Sequence, residues 1–295
     1  MSEERRNLKE VSVVIGSYNR RRFLELTLAG VRKELDRIPH EIIIVDGGST
    51  DGSVKWLTQQ RDVITILQHN RGTWRGKPLE RRSWGYFMNL GFRLSQGKYV
   101  CMLSDDCLVV PGSIRKGIAH ADHAQLDGRR IGAIAFYWRN WPEQKDYWVG
   151  LTLGGRMFVN HGLYLRRALE AVGYADEDTY LFYHADGDLC LRMWASGFEC
   201  IDAPESFIEH YAEASKEVRA SNLAIQTQDW RHYLDKWGRL WGTGDATRGQ
   251  GWIHRSFADP LGTADQFRGI PEVRIDLAAS AMRKALRRAK SKLVG

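Results

Sequence analysis

Three short runs, Val11–Ile15 (VSVVI), Glu41–Val45 (EIIIV) and Tyr99–Leu103 (YVCML), constrain this chain more than any other feature. Apolar and largely β-branched, they lack the alternation of a half-exposed strand, so each suits a strand buried on both faces. Helical spacing separates them. Arg21–Leu35 repeats Phe23, Leu24, Leu28, Val31 and Leu35 on one face, Val54–Leu57 begins a second helix, and Trp84, Phe87, Met88 and Leu90 mark a third, with a further strand at Val63–Leu67. Strands alternating with helices predict an α/β fold with a mostly parallel, doubly wound sheet.

The third run enters Ser104-Asp105-Asp106. In open α/β sheets the carboxyl edge of the strands is where ligands bind. Two adjacent buried anions there are costly unless a cation sits between them. A metal site and a pair of solvated turn aspartates both satisfy this stretch taken alone. Alternation along an extended segment puts Ser104 and Asp106 on one face and Asp105 on the other. Pro111-Gly112-Ser113 then turns the chain and offers Ser113 as a helix N-cap.

Beyond it, Ile131–Trp138 is a strand, and Trp138, Trp141, Tyr147 and Trp148 suit either core packing or a platform for a sugar ring. Asn160–Ala171 reads as a turn and a short helix. In Asp186–Arg192 (DGDLCLR), Leu189, Leu191, Met193 and Trp194 continue a helix for which Asp186 is either a cap or a functional carboxylate. Gly197–Ile201 and Ser206–His210 read as two short strands.

Several classes are excluded. The turn after the first strand, GSYNRR, holds a single glycine, so it is no dinucleotide fingerprint, and no P-loop occurs. No apolar run approaches the roughly 18 residues of a membrane span. The N-terminal MSEERRNLKE is charged and unlike a secretory signal, and four cysteines without CxxC spacing suit free thiols in a reducing compartment, so a cytoplasmic location is expected. Of the net charge of +7, six cations (Arg283, Lys284, Arg287, Arg288, Lys290, Lys292) follow the last acidic residue, Asp276, leaving a body near +1. That is no footprint for nucleic acid.

The order of these pieces resembles the family-2 inverting glycosyltransferases of the GT-A fold. VSVVIGSYNR, EIIIVDGGSTDGS, NLG (Asn89–Gly91), GKYVCMLSDDCLVVPGS, DGDLCLR and FIEH (Phe207–His210) follow the family order over about residues 11–210. The resemblance implies a metal-dependent, inverting transfer of a sugar from a nucleotide-diphospho-sugar (UDP, dTDP or GDP) to a hydroxyl of a glycan, polysaccharide or lipid-linked acceptor. It places Ser17, Asn19, Asp46, Asn89, Ser104 and Asp105 with the nucleotide-sugar, Asp106 and His210 on Mn²⁺ or Mg²⁺, and Asp186 as catalytic base. Asp188, His184 and Trp138 are auxiliary or acceptor-side candidates. Ser104 stands where the family often has the first aspartate of its metal motif, and Ala185 replaces a glutamate. These departures motivate an alternative, a nucleotide-sugar-binding protein that kept the fold and lost the chemistry. Lys77, Arg81 and Arg82 suit either phosphate clamps or a solvated basic loop.

The resemblance divides the chain into a glycosyltransferase domain (1–213, with a nucleotide-sugar half to about 110 and an acceptor half from 111) and a mainly helical extension (214–295). Asn222–Trp237 reads as one helix, Gly242–Gly251 as a flexible loop, and Ile275–Leu293 as a basic amphipathic helix suited to peripheral contact with an inner membrane face or to solvent.

Overall fold

The computed structural model describes residues 9–242 and 251–294, the side chains of residues 284 and 287–294 excepted. The chain begins with β1 (Val11–Ser17), α1 (Arg21–Leu35), β2 (His40–Asp46), α2 (Ser53–Leu57), β3 (Val63–Leu67), a small hairpin of β4 (Thr73–Trp74) and β5 (Lys77–Pro78), and α3 (Trp84–Leu94). Next come β6 (Tyr99–Ser104), β7 (Cys107–Val109), α4 (Ser113–Leu126), β8 (Ile131–Asn140), β9 (Tyr147–Thr152), β10 (Arg156–Met157), β11 (Gly162–Leu165) and α5 (Arg166–Ala171). The last part holds α6 (Ala185–Ala195), β12 (Glu199–His210), α7 (Lys216–Leu223), α8 (Gln226–Trp241), β13 (Trp252–Arg255) and α9 (Pro271–Val294).

The three apolar runs form the parallel half of one sheet, ordered β3-β2-β1-β6. Their residues are buried: α3 lies on β1 and β2, while α1 packs on β7 and on α4, which in turn lies on β8, β11 and β12. Helix α3 sits so close that a Cβ on Gly91 would lie 2.5 Å from Val14 Cγ1 and 3.3 Å from Val45 Cγ2. The remaining half is mixed: β11 runs antiparallel between β6 and β8, β12 is parallel to β8, and β9, β10 and β13 extend the far edge. The result is a mixed α/β sheet flanked by helices.

Some local expectations need correction. Residues 162–165, expected within a turn and helix, form β11; four residues are too few for periodicity to reveal a strand, and all four are buried. The two short strands near Ile201 and Phe207 are one, β12, whose register shifts between Ala203 and Phe207, where Pro204 has no N–H for the ladder. Ser113 is the first residue of α4 and caps nothing. Buried Glu34 of α1 instead accepts from the Gly112 and Ile114 N–H groups at 2.6 and 3.0 Å, and Ser113 Oγ accepts from Phe207 N–H at 2.8 Å. Asn222–Trp237 is split between α7 and α8, which also run beyond it at both ends. Residues 243–250 of the expected loop lie outside the described residues. So do the side chains of Lys284, Arg287, Arg288, Lys290 and Lys292, on which membrane contact depends. Among the described residues no helix is long and apolar enough to cross a membrane.

Gly91→Ala is expected to cost about 1–3 kcal/mol through forced separation of α3 from the sheet. Urea denaturation followed by circular dichroism reads this directly, and an unchanged midpoint would contradict the packing described.

Candidate active site

A cavity of about 270 Å³ opens at the carboxyl ends of β1 and β6. Strand pairing aligns Ser17 with Asp46 and Gly16 with Ser104, so the turns after β1, β2 and β6 meet there. The chain order reverses at this point of the sheet, since β2 and β6 flank β1 on opposite sides. Ser17, Ser104 and Asp105 line the cavity from the sheet, Arg71, Arg81 and Arg82 from the loop before α3, and Asn160, His161, His184 and Asp186 from the other half.

The cation between the two aspartates is Arg20. Its Nη1 lies 2.8 Å from Asp105 Oδ1 and 2.8 Å from Asp106 Oδ2, with both carboxylates almost fully buried. The turn carrying them is held to α1 by the Thr27 hydroxyl, 2.9 and 2.8 Å from the carbonyl oxygens of Asp105 and Cys107. Strand β6 ends at Ser104, so the expected alternation stops. Ser104 and Asp105 both face the cavity, whereas Asp106 is absent from its lining. Asp105 Oδ2 accepts from Tyr18 N–H at 3.3 Å, and Asp106 Oδ1 lies 3.4 Å from His210 Nε2. Burial raises Asp105 to about 6 against the pull of Arg20. For Asp106 burial also acts upward, but Arg20 and His210 together outweigh it and hold the carboxyl below its usual range. His161, fully enclosed, is pushed by burial down to about 3; its ring lies 5.8 Å from that of His210.

On the opposite wall, Asp186 lies in the first turn of α6 and is not its cap, a position taken by His184 with φ +65°. Asp186 Oδ2 accepts from Asn160 Nδ2 at 3.0 Å, and burial raises its pKa. His184 stacks on Tyr233, its ring 5.0 Å away, and burial lowers its pKa. Asp188 faces inward: fully buried, it accepts from Arg192, Lys236 and Trp237, each at 2.8 Å.

Other candidates are engaged locally. Asp46 is fully buried and accepts from Gly48 N–H, Ser49 N–H and Ser49 Oγ at 2.9, 2.7 and 2.8 Å, a turn that the positive φ of Gly48 permits. Asn19 Oδ1 accepts from Thr50 N–H at 2.7 Å, and buried Asn89 exchanges hydrogen bonds with the Ala175 backbone. Trp138 packs against Trp148, ring centroids 3.6 Å apart, outside the cavity lining. Arg20 Nε is buried without a hydrogen-bond partner. Sequence reasoning missed Arg20, His161 and Asp229. Asp229, on α8, accepts from the N–H groups of Leu181, Phe182 and Tyr183 at 3.0, 2.9 and 2.8 Å and so shapes the approach to Asp186. The run Arg20-Arg21-Arg22 after the first strand was the available signal for Arg20.

The donor set fits a divalent cation. Asp106, His210 and Cys107 each offer one ligand atom, all within 4.8 Å of one another. Burial raises the Cys107 thiol, and metals take the thiolate, so the carboxylate and the imidazole are the donors that suit a divalent cation.

A family model described as glycosyl transferase family 2 matches residues 12–176. The chain belongs to this family. It is 28% identical over 105 residues to a chondroitin synthase of Pasteurella multocida, covering 34% of this chain and 10% of that protein. To an uncharacterized glycosyltransferase of Nostoc sp. it is 33% identical over 109 residues, 36% of this chain and 31% of the other. The matches thus span well under two thirds of either relative. Among solved structures, TarS of S. aureus superposes with a TM-score of 0.54 at 13% identity, over 81% of this chain and 44% of that one. The mannosyltransferase PcManGT from Pyrobaculum calidifontis, in complex with GDP-Man and Mn²⁺, gives 0.52 at 18% identity, over 97% and 80%. At these identities the likeness establishes the shared fold, the GT-A fold of family 2.

Arg20→Met is expected to destabilise the protein by about 3–5 kcal/mol near neutral pH, because two buried carboxylates lose their counter-cation. In the native protein Asp106 sits below its ordinary range, so its stabilisation is present above that range and lost as pH falls. Without the guanidinium both carboxyls titrate higher, folding takes up protons, and stability is regained as pH falls. Urea midpoints from pH 8 to pH 5 should therefore converge on wild type, and a deficit independent of pH would contradict the charge argument.

Proposed function

We propose that this family-2 chain transfers a sugar from a nucleotide-diphospho-sugar to an acceptor hydroxyl with inversion at the anomeric carbon. One observation carries the reading: a single cavity joins the turns at the carboxyl ends of β1, β2 and β6 to Asp186 on the facing wall. Ser17, Ser104 and Asp105 bring polar side chains to it from the sheet. In this reading Asp105 and the backbone near Ser17 and Gly47 hold the nucleotide portion. Asp106 and His210, beside the cavity, would hold Mn²⁺ or Mg²⁺, a Lewis acid for negative charge on a leaving diphosphate. Asp186, oriented by Asn160 and raised by burial, takes the acceptor proton as the oxygen attacks opposite the leaving group. The new bond joins acceptor oxygen to anomeric carbon while the bond from that carbon to the phosphate oxygen breaks. The PcManGT and TarS complexes with GDP-Man and UDP-GlcNAc support a nucleotide-sugar donor. We place the acceptor among glycans, polysaccharides and lipid-linked sugars, and the protein in the cytoplasm.

A second reading, donor binding without transfer, is favoured by Arg20 occupying both carboxylates and by the buried Ala185 at the family's glutamate position. Turnover across UDP-, GDP- and dTDP-sugars with Mn²⁺ separates the two, and neither binding nor turnover with any of them would overturn both. Asp186→Asn is expected to keep donor affinity and lose about a hundredfold or more in transfer rate. Asp106→Ala is expected to lose the metal-dependent part of donor binding. Equal loss of binding in both variants, measured by calorimetry, would remove Asp186 from the role of base.

A further inference from the structure

Two arginines at the cavity converge on one neutral oxygen. Arg71 Nη2 and Arg81 Nη2 donate to Asn222 Oδ1 at 2.9 and 2.8 Å, and Arg71 Nη1 donates to Ser221 Oγ at 2.8 Å. Asn222 is buried, both guanidiniums are half-buried, and all three residues line the cavity. Aromatic rings back the pair: Arg71 lies 5.9 Å from the Tyr18 ring centroid and Arg81 lies 5.7 Å from that of Phe182. Among the described residues neither forms an ion pair. The acidic groups nearest in effect, Glu217 for Arg71 and Asp229 for Arg81, fail to offset burial, and each arginine is shifted downward, Arg81 to about 10 with Arg71 as a cause. Two half-buried like charges sharing an amide oxygen are unfavourable unless an anion joins them.

We infer that Arg71, Arg81 and Asn222 form a fork for a phosphate or diphosphate group, one that binds without a metal ion. The inference rests on the proposed donor chemistry only for the source of the phosphate. That source is either the diphosphate of the nucleotide-sugar or the phosphate of a lipid-linked acceptor.

The test is calorimetric titration of the full chain in EDTA, with inorganic pyrophosphate, with UDP, GDP and their nucleosides, and with a short-chain prenyl phosphate. Wild type is expected to bind pyrophosphate measurably and more weakly as salt rises. Arg71→Gln and Arg81→Gln should each weaken it about tenfold, with Arg71→Lys and Arg81→Lys recovering part of the loss. Asn222→Asp is the sharper probe. Its carboxylate would sit between the two guanidiniums, so the fold should gain thermal stability while pyrophosphate binding is lost. Arginine-dependent preference for a nucleoside diphosphate over its nucleoside assigns the fork to the donor, and arginine-dependent binding of prenyl phosphate alone assigns it to the acceptor. Absence of pyrophosphate binding in wild type, or equal affinity in wild type and Asn222→Asp, would overturn the inference. Because pyrophosphate needs no sugar transfer, this result is independent of whether any donor is turned over.

Discussion

Arg20 stands between Asp105 and Asp106, and among the described residues no other cation pairs with both; much of the surrounding architecture follows from keeping it there. Two carboxylates removed from water at adjacent positions repel, and either one left alone would be costly by several kcal/mol. The guanidinium reaches both because α1 begins at Arg21, directly after the turn that leaves β1. Thr27, two turns into that helix, holds the carbonyl oxygens of the aspartate turn, and Tyr211 N–H donates to the Asp106 carbonyl oxygen at 3.1 Å. The first strand, the first helix and the end of β6 are therefore locked around one charge cluster. Within that lock the carboxylates diverge, Asp105 to the cavity and Asp106 to His210, so two chemically identical neighbours hold different positions for chemistry.

The far wall depends on a second buried carboxylate system. Asp188 ties α6 to α8 through Lys236 and Trp237, and Asp229 of the same α8 gathers three N–H groups of the segment 181–183. Together they present His184 and Asp186 to the cavity from a rigid support. Asn222 at the end of α7 meets Arg71 and Arg81 from the loop before α3, closing the space between the two walls. The helices after residue 213 thus supply cavity wall, and their polar contacts reach residues about 140 to 150 positions earlier in the chain.

How much of this was legible follows from how local each cause is. Strands β1, β2 and β6 announce themselves because burial on both faces leaves no room for polar residues. The 3.6-residue repeat of α1 matched its observed bounds, Arg21–Leu35. Strand β11 was hidden because four buried residues carry no period. The cap of α4 was misread because Glu34, some 80 residues earlier, does what Ser113 was expected to do. Asp186 and Asp188 look alike in sequence, yet the first lines the cavity and the second is sealed among a guanidinium, an ammonium and an indole.

By itself the sequence determined the α/β class, the parallel half of the sheet and the edge at which the polar turns gather, since burial and backbone periodicity act over neighbouring residues. The repulsion within Asp105-Asp106 was also readable, because it acts between adjacent residues, but whether the pair is solvated or buried beside a cation was not. Which cation answers it, which aspartate faces the cavity and which arginines are left without a counter-charge were decided only by tertiary structure. Those depend on distances between side chains 80 to 150 positions apart, and an ion pair is chosen by proximity in space.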